Sequence, residues 1–304
     1  MNSKSLAART NLLVLFVVAI YLMTQLAAQF TLGQGWLSKN LYLFLVGIQI
    51  FIILLPGLFF LRVHKLRSAV FLHIRKLSVT EAFLIVLMAG ASGFIASVLN
   101  AYAVSVLERL GPVKVGGIPA PESISELWLQ IFVFALLPAV CEEFFFRGII
   151  YRSFESLGSG VALGVSAIYF ALFHFDLRNF LGPLFLGFLI TWYCYRTNSI
   201  FAAVLAHFVN NLLAVLAGWF GRETVEASMV LDKDTLGQMF SLACFAGVVL
   251  FILMKAFEGI TRKKVPKKLQ NSFSVSIVLH WPVCLFLCTY VIIGVVFLSS
   301  LLKQ

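Results

Sequence analysis

The feature that most limits how this chain can fold is a succession of nine apolar runs, each near the length that crosses a lipid bilayer. They cover roughly Asn11–Phe30, Leu41–Leu61, Thr80–Leu107, Glu126–Ile150, Leu157–His174, Leu181–Tyr195, Ile200–Trp219, Leu236–Met254 and Phe273–Leu302. A helix needs about 20 apolar residues to span the hydrocarbon core. The sixth run is short for that. Period-two alternation, the mark of a membrane β-barrel strand, is absent. The expected fold is therefore all-α, a polytopic membrane helical bundle of about eight or nine transmembrane helices. Composition excludes the alternatives. Of 304 residues, 61% are hydrophobic and 12% charged. A soluble enzyme carries about twice that charge, and a disordered chain is far less apolar. The five cysteines (Cys141, Cys194, Cys244, Cys284, Cys288) all fall in the apolar runs and form no CxxC. They read as buried apolar filler rather than a disulfide framework.

The polar residues between the runs report topology. Arg62–Lys76 and Lys255–Lys268 are basic, Arg222–Asp234 is acidic with Glu223, Glu226 and Asp232, and Glu108–Glu126 is rich in Gly and Pro, with Gly116 and Gly117. With the N-terminus inside, 16 of the 23 Lys and Arg fall at inside ends and 7 outside. The positive-inside rule then predicts a cytoplasmic N-terminus and nine spans. The formal charge of +10 is thus expected to serve topology first, with anionic lipid the lesser alternative for the two basic loops and no nucleic-acid partner. The first run resembles a signal peptide only superficially and is expected to stay as an anchor. An integral, multi-pass protein of the bacterial cytoplasmic membrane is the expected setting.

Ionisable groups inside such runs are costly, at ~2.5–3.5 kcal/mol near the bilayer centre, so each is a candidate site. Run four carries Glu142, Glu143 and Arg147, run five ends at Phe170 and His174, and run seven carries His207, Asn210 and Asn211. Glu143 and Arg147 are i,i+4 and can pair along one helix face. Such a pair near an interface can also be a simple snorkelling ion pair. Glu142 is turned by about 100° and does not share that partner. A carboxylate without a cation in an apolar setting suits general acid–base work. His207 and Asn211 share a face, with Asn210 displaced from it, and Phe170 can set the rotamer of His174. His64 and His73 lie in the basic loop and are expected to be solvated. His280 is expected to hydrogen-bond between helices.

At these residues the chain resembles the CAAX protease and bacteriocin-processing family of intramembrane proteases, which includes the type II CAAX prenyl endopeptidase. Glu142, Glu143 and Arg147 match its Glu-Glu-x-x-x-Arg motif, Phe170 and His174 its Phe-x-x-x-His motif, and His207 and Asn211 its His-x-x-x-Asn/Asp motif. The resemblance covers about Leu127–Trp219. It implies that Glu142 activates a water held with His174. It also implies that His207 and Asn211 stabilise the oxyanion, and that Glu143, Arg147 and Phe170 support them. It leaves the metal question open. Glu142, His174 and His207 are a zinc-type donor set, yet no His-Glu-x-x-His occurs, and a Glu-activated water needs no metal.

The expected organisation is a three-span segment at 1–125, a catalytic core at 126–219 and a two-span extension at 220–304. The expected partners are membrane lipid and a membrane-bound peptide or protein substrate, prenylated or otherwise. Two other functions remain compatible: a non-catalytic scaffold or bacteriocin-immunity protein, and a proton-coupled transporter. One tension stands. Counting about 1.5 Å per residue from these limits puts Glu142 and His207 near mid-membrane but His174 at the outer edge.

Overall fold

The computed structural model of the protein describes residues 3–114, 119–221, 233–265 and 280–303. Gly116, Gly117, Glu223, Glu226, Asp232, Lys267, Lys268 and the start of run nine at Phe273 lie outside the described residues. The described residues form helices and no strand. Seven helices are long and apolar enough to cross a membrane: α1 (Lys4–Phe30), α2 (Leu41–Val63), α3 (Val79–Leu107), α4 (Ile124–Glu155), α7 (Ile200–Gly221), α8 (Asp234–Thr261) and α9 (Trp281–Leu301). Between α4 and α7 lie two shorter ones, α5 (Ser159–Leu172) and α6 (Leu181–Thr197), of 14 and 17 residues. The expected eight or nine full spans are thus seven among the described residues. At 14 residues α5 reaches only about 21 Å, less than the ~30 Å hydrocarbon core.

Local chemistry sets the helix ends. Ser78 and Glu81 form a capping box at the start of α3, satisfying two orphan N–H groups reciprocally. Asn198 ends α6 in the left-handed region, φ 52°, which Asn tolerates better than most residues. Within α4, Ile131–Leu136 and Phe144–Tyr151 are wound as π-helix on either side of Leu137–Glu143. Pro138 lies at the first join. It has no N–H, so the Phe134 carbonyl four residues earlier loses its α-helical donor.

Helix α4 crosses the middle of the bundle, packed against α2, α5 and α7, while α3 braces α6, α7 and α8 from the other side. The Phe144–Phe154 stretch of α4 is buried throughout. Phe145, Ile149, Tyr151 and Phe154 are all fully buried there. Close backbone approach is built in with glycine. A Cβ on Gly57 of α2 would stand 2.7 Å from the Phe144 ring, and one on Gly187 of α6 would stand 3.0 Å from the Ala167 Cα of α5. The outward faces of α8 and α9 carry Phe245, Phe251, Ile292 and Val296, all exposed, as lipid-facing surfaces should be.

The basic segments gather at one end of the bundle. Ile200 N–H donates to the His73 carbonyl, Lys264 Nζ to Glu81 at 2.8 Å, and Arg196 Nε to Thr261 at 3.0 Å. Three expectations need correction here. His73 is half-buried and bonds Asn198, so it is not simply solvated; burial and nearby Arg152 hold its imidazole below the ordinary histidine range. His280 stands at the N-cap of α9 rather than inside a span. Cys244, Cys284 and Cys288 are exposed on outward helix faces, and only Cys141 and Cys194 are buried.

Candidate active site

Glu143 and Arg147 face each other one turn apart on α4, and both are 0% exposed. A snorkelling pair would reach water; this one does not. Arg147 Nη1 donates to Glu143 Oε1 at 2.7 Å. Its Nε donates to Thr191 Oγ at 3.1 Å and its Nη2 to the Gly187 carbonyl at 3.0 Å. The guanidinium also lies over the Phe170 ring, 4.6 Å from its centroid, an attractive placement for a cation. Arg147 thus ties α4 to α5 and α6.

The same Glu143 oxygen meets Nδ1 of His207 at 2.7 Å. That oxygen already accepts from the Arg147 guanidinium, so the hydrogen of this contact sits on Nδ1, and Nε2 is the ring nitrogen turned away from Glu143. His174 is fixed in the same sense. Its Nδ1 donates to the Phe170 carbonyl at 2.9 Å, which again leaves Nε2 free. The Phe170 ring stands edge-on to both imidazoles, 5.2 Å from His174 and 5.6 Å from His207. Phe170 therefore packs on each of the two histidines.

Glu142 points elsewhere. It is half-buried, and its Oε1 accepts from Gln49 Nε2 of α2 at 2.7 Å. The two adjacent acids have different partners, as their rotation about the helix requires, but Glu142 is not without one. Asn211 donates from Nδ2 to the Phe134 carbonyl at 3.0 Å, the carbonyl that Pro138 leaves without a helical donor. His207 and Asn211 thus both address α4. Asn210 is turned toward α3, where a Cβ on Gly93 would stand 2.5 Å from its Oδ1.

The depth tension resolves once the helices are measured from their shared basic end. Helix α4 continues to Glu155 and α5 begins at Ser159. Glu142 and His174 then lie roughly 20 and 22 Å from that end at 1.5 Å per residue. The sequence limits had closed span four at Ile150 and stretched span five beyond its length. His174 follows the end of a helix too short to cross.

The structure does not bring Glu142, His174 and His207 together as a metal site. Among the described residues no three His, Cys, Asp or Glu side chains are grouped closely enough to hold an ion, so no step below runs through zinc. Three contributors escaped the sequence reading. Gln49 had a signal, as a lone amide inside an apolar run. Thr191 and Gly187 had none, since small residues are common in membrane helices.

Among curated proteins and among solved structures, none matches this chain. A family model does match, the type II CAAX prenyl endopeptidase Rce1-like family, over residues 124–213. That segment is under a third of the chain and contains all of α4, α5 and α6 and the part of α7 that bears His207 and Asn211. Residues 124–213 of this integral membrane protein are therefore similar to the Rce1-like type II CAAX prenyl endopeptidases, a likeness consistent with the CAAX protease and bacteriocin-processing family that supports a protease.

Proposed function

We propose that the protein is an intramembrane endopeptidase in which Glu142 activates water against a peptide bond of a membrane-associated substrate. The observation that carries this reading is the division between the two acids. Glu143 is committed to Arg147 and His207, whereas half-buried Glu142 accepts its hydrogen bond from a neutral amide. Glu142 is therefore the carboxylate free to take a proton.

In this mechanism Glu142 removes one proton of a water, and the water oxygen bonds to the scissile carbonyl carbon. His174, with Nδ1–H on a backbone carbonyl, offers Nε2 to hold that water. The carbonyl oxygen becomes an oxyanion. Asn211 offers its second amide hydrogen, and His207, in the form that carries a hydrogen on both ring nitrogens, offers Nε2–H, as preorganised donors. The C–N bond then breaks, and Glu142 returns its proton to the leaving amine. The substrate class follows from the family's name: a CAAX-like, prenylated or otherwise membrane-bound chain, cut from the cytoplasmic side if the basic end lies inside.

The reaction class is tested with the purified protein in liposomes, a membrane-anchored CAAX peptide and ¹⁸O-water. Hydrolysis predicts a new C-terminal carboxylate carrying ¹⁸O, read by mass spectrometry. A product whose new C-terminus lacks the label, or an intact peptide, contradicts it.

A further inference from the structure

Helix α2 lies outside the segment shared with the Rce1-like family, yet it supplies the hydrogen-bond partner of Glu142. Gln49 is 9% exposed and sits in a π-helical stretch of α2, Ile48–Leu54. Such one-turn distortions often mark functional positions. Its Nε2 donates to Glu142 Oε1 at 2.7 Å. Its own oxygen is buried and has no partner among the described residues. A buried carbonyl without a donor is a cost to the fold, whereas an apolar side chain of the same shape is not. The placement of Gln49 is therefore poorly explained by stability.

We infer that Gln49 is a positioning residue, which holds Glu142 through Oε1 so that Oε2 is the oxygen presented to water. This rests on the assignment of Glu142 as the base. A neutral amide suits the task. It fixes one carboxylate oxygen by a directed bond without adding the positive charge that binds Glu143 to Arg147 permanently. Lys or Arg at position 49 would hold the carboxylate more tightly and weaken it as a base. The contrast between the two acids thus extends to their donors, a guanidinium for the structural one and an amide for the reactive one.

The test is Gln49→Met, which keeps length and removes both polar atoms. Initial rates are measured with the full-length protein in liposomes and a membrane-anchored peptide, per mole of folded protein. The expected result is a fall in kcat of about ten- to a hundredfold, the worth of one hydrogen bond to a charged group, with KM changed by less than about twofold. Thermal unfolding in detergent should be unchanged or shifted upward, since an unpartnered carbonyl is lost. A purely structural role predicts the reverse, a lower unfolding midpoint and an unchanged kcat, and that outcome overturns the inference. If Gln49→Met does not fold, Gln49→Leu carries the same expected loss of kcat, because it removes the donor. Glu142→Gln is measured beside them. If it retains activity, the base assignment fails. If it is inactive while the Gln49 variants turn over at the normal rate, only the role of Gln49 fails.

Discussion

Arg147 is fully buried, and a carboxylate, a hydroxyl, a backbone carbonyl and an aromatic face replace its hydration. Removing one member of such a set leaves an uncompensated buried charge, which costs about 3–5 kcal/mol. Arg147→Met is therefore expected to lower the unfolding midpoint sharply. Adding Glu143→Gln should recover part of the loss, because it neutralises the stranded carboxylate. Differential scanning fluorimetry of both variants checks this; equal midpoints for Arg147→Met and wild type would contradict the ion pair. At this scale the sequence was informative wherever charge was involved. Glu142, Glu143, Arg147, His174 and His207 stood out because ionisable groups are rare in apolar runs, and i,i+4 spacing correctly joined Glu143 to Arg147. It could not show that Glu143 also holds His207, since no local rule connects residues 64 positions apart.

At the scale of helices, what places the site is irregularity. The π-wound turns of α4 and Pro138 shape the stretch bearing the two acids, and a helix of 14 residues stops in time to present His174. These were not legible, because apolar runs reveal the existence of helices better than their ends, and π turns have no composition of their own. The close seam between α5 and α6 makes a prediction. At Gly187 a Cβ would lie 3.0–3.3 Å from the Ala167 backbone and side chain, and the Gly187 carbonyl also receives Arg147. Gly187→Val should force the helices apart, costing about 1–3 kcal/mol as overpacking does, and should reduce turnover through Arg147. The same substitution at Gly218, where no neighbour lies within 4 Å, should leave turnover intact. Comparable activity in both variants would deny the seam any part in the site.

For the whole molecule, composition and apolar runs made an all-helical membrane bundle legible from the outset. The set of residues around α4 gives it the chemical centre proposed above. Helices α4 to α7 surround that centre, and α2 reaches it through Gln49. Scaffolding or immunity would need the bundle but not a reactive Glu142. Both would survive an isosteric change there, whereas general-base catalysis would not. The decisive measurement is the initial cleavage rate of a membrane-anchored peptide by full-length wild-type and Glu142→Gln protein in liposomes, normalised to folded protein. Loss of a general base predicts a fall of at least about a hundredfold with the unfolding midpoint preserved. Cleavage by the folded Glu142→Gln protein at the wild-type rate would contradict the assignment of Glu142 as the base.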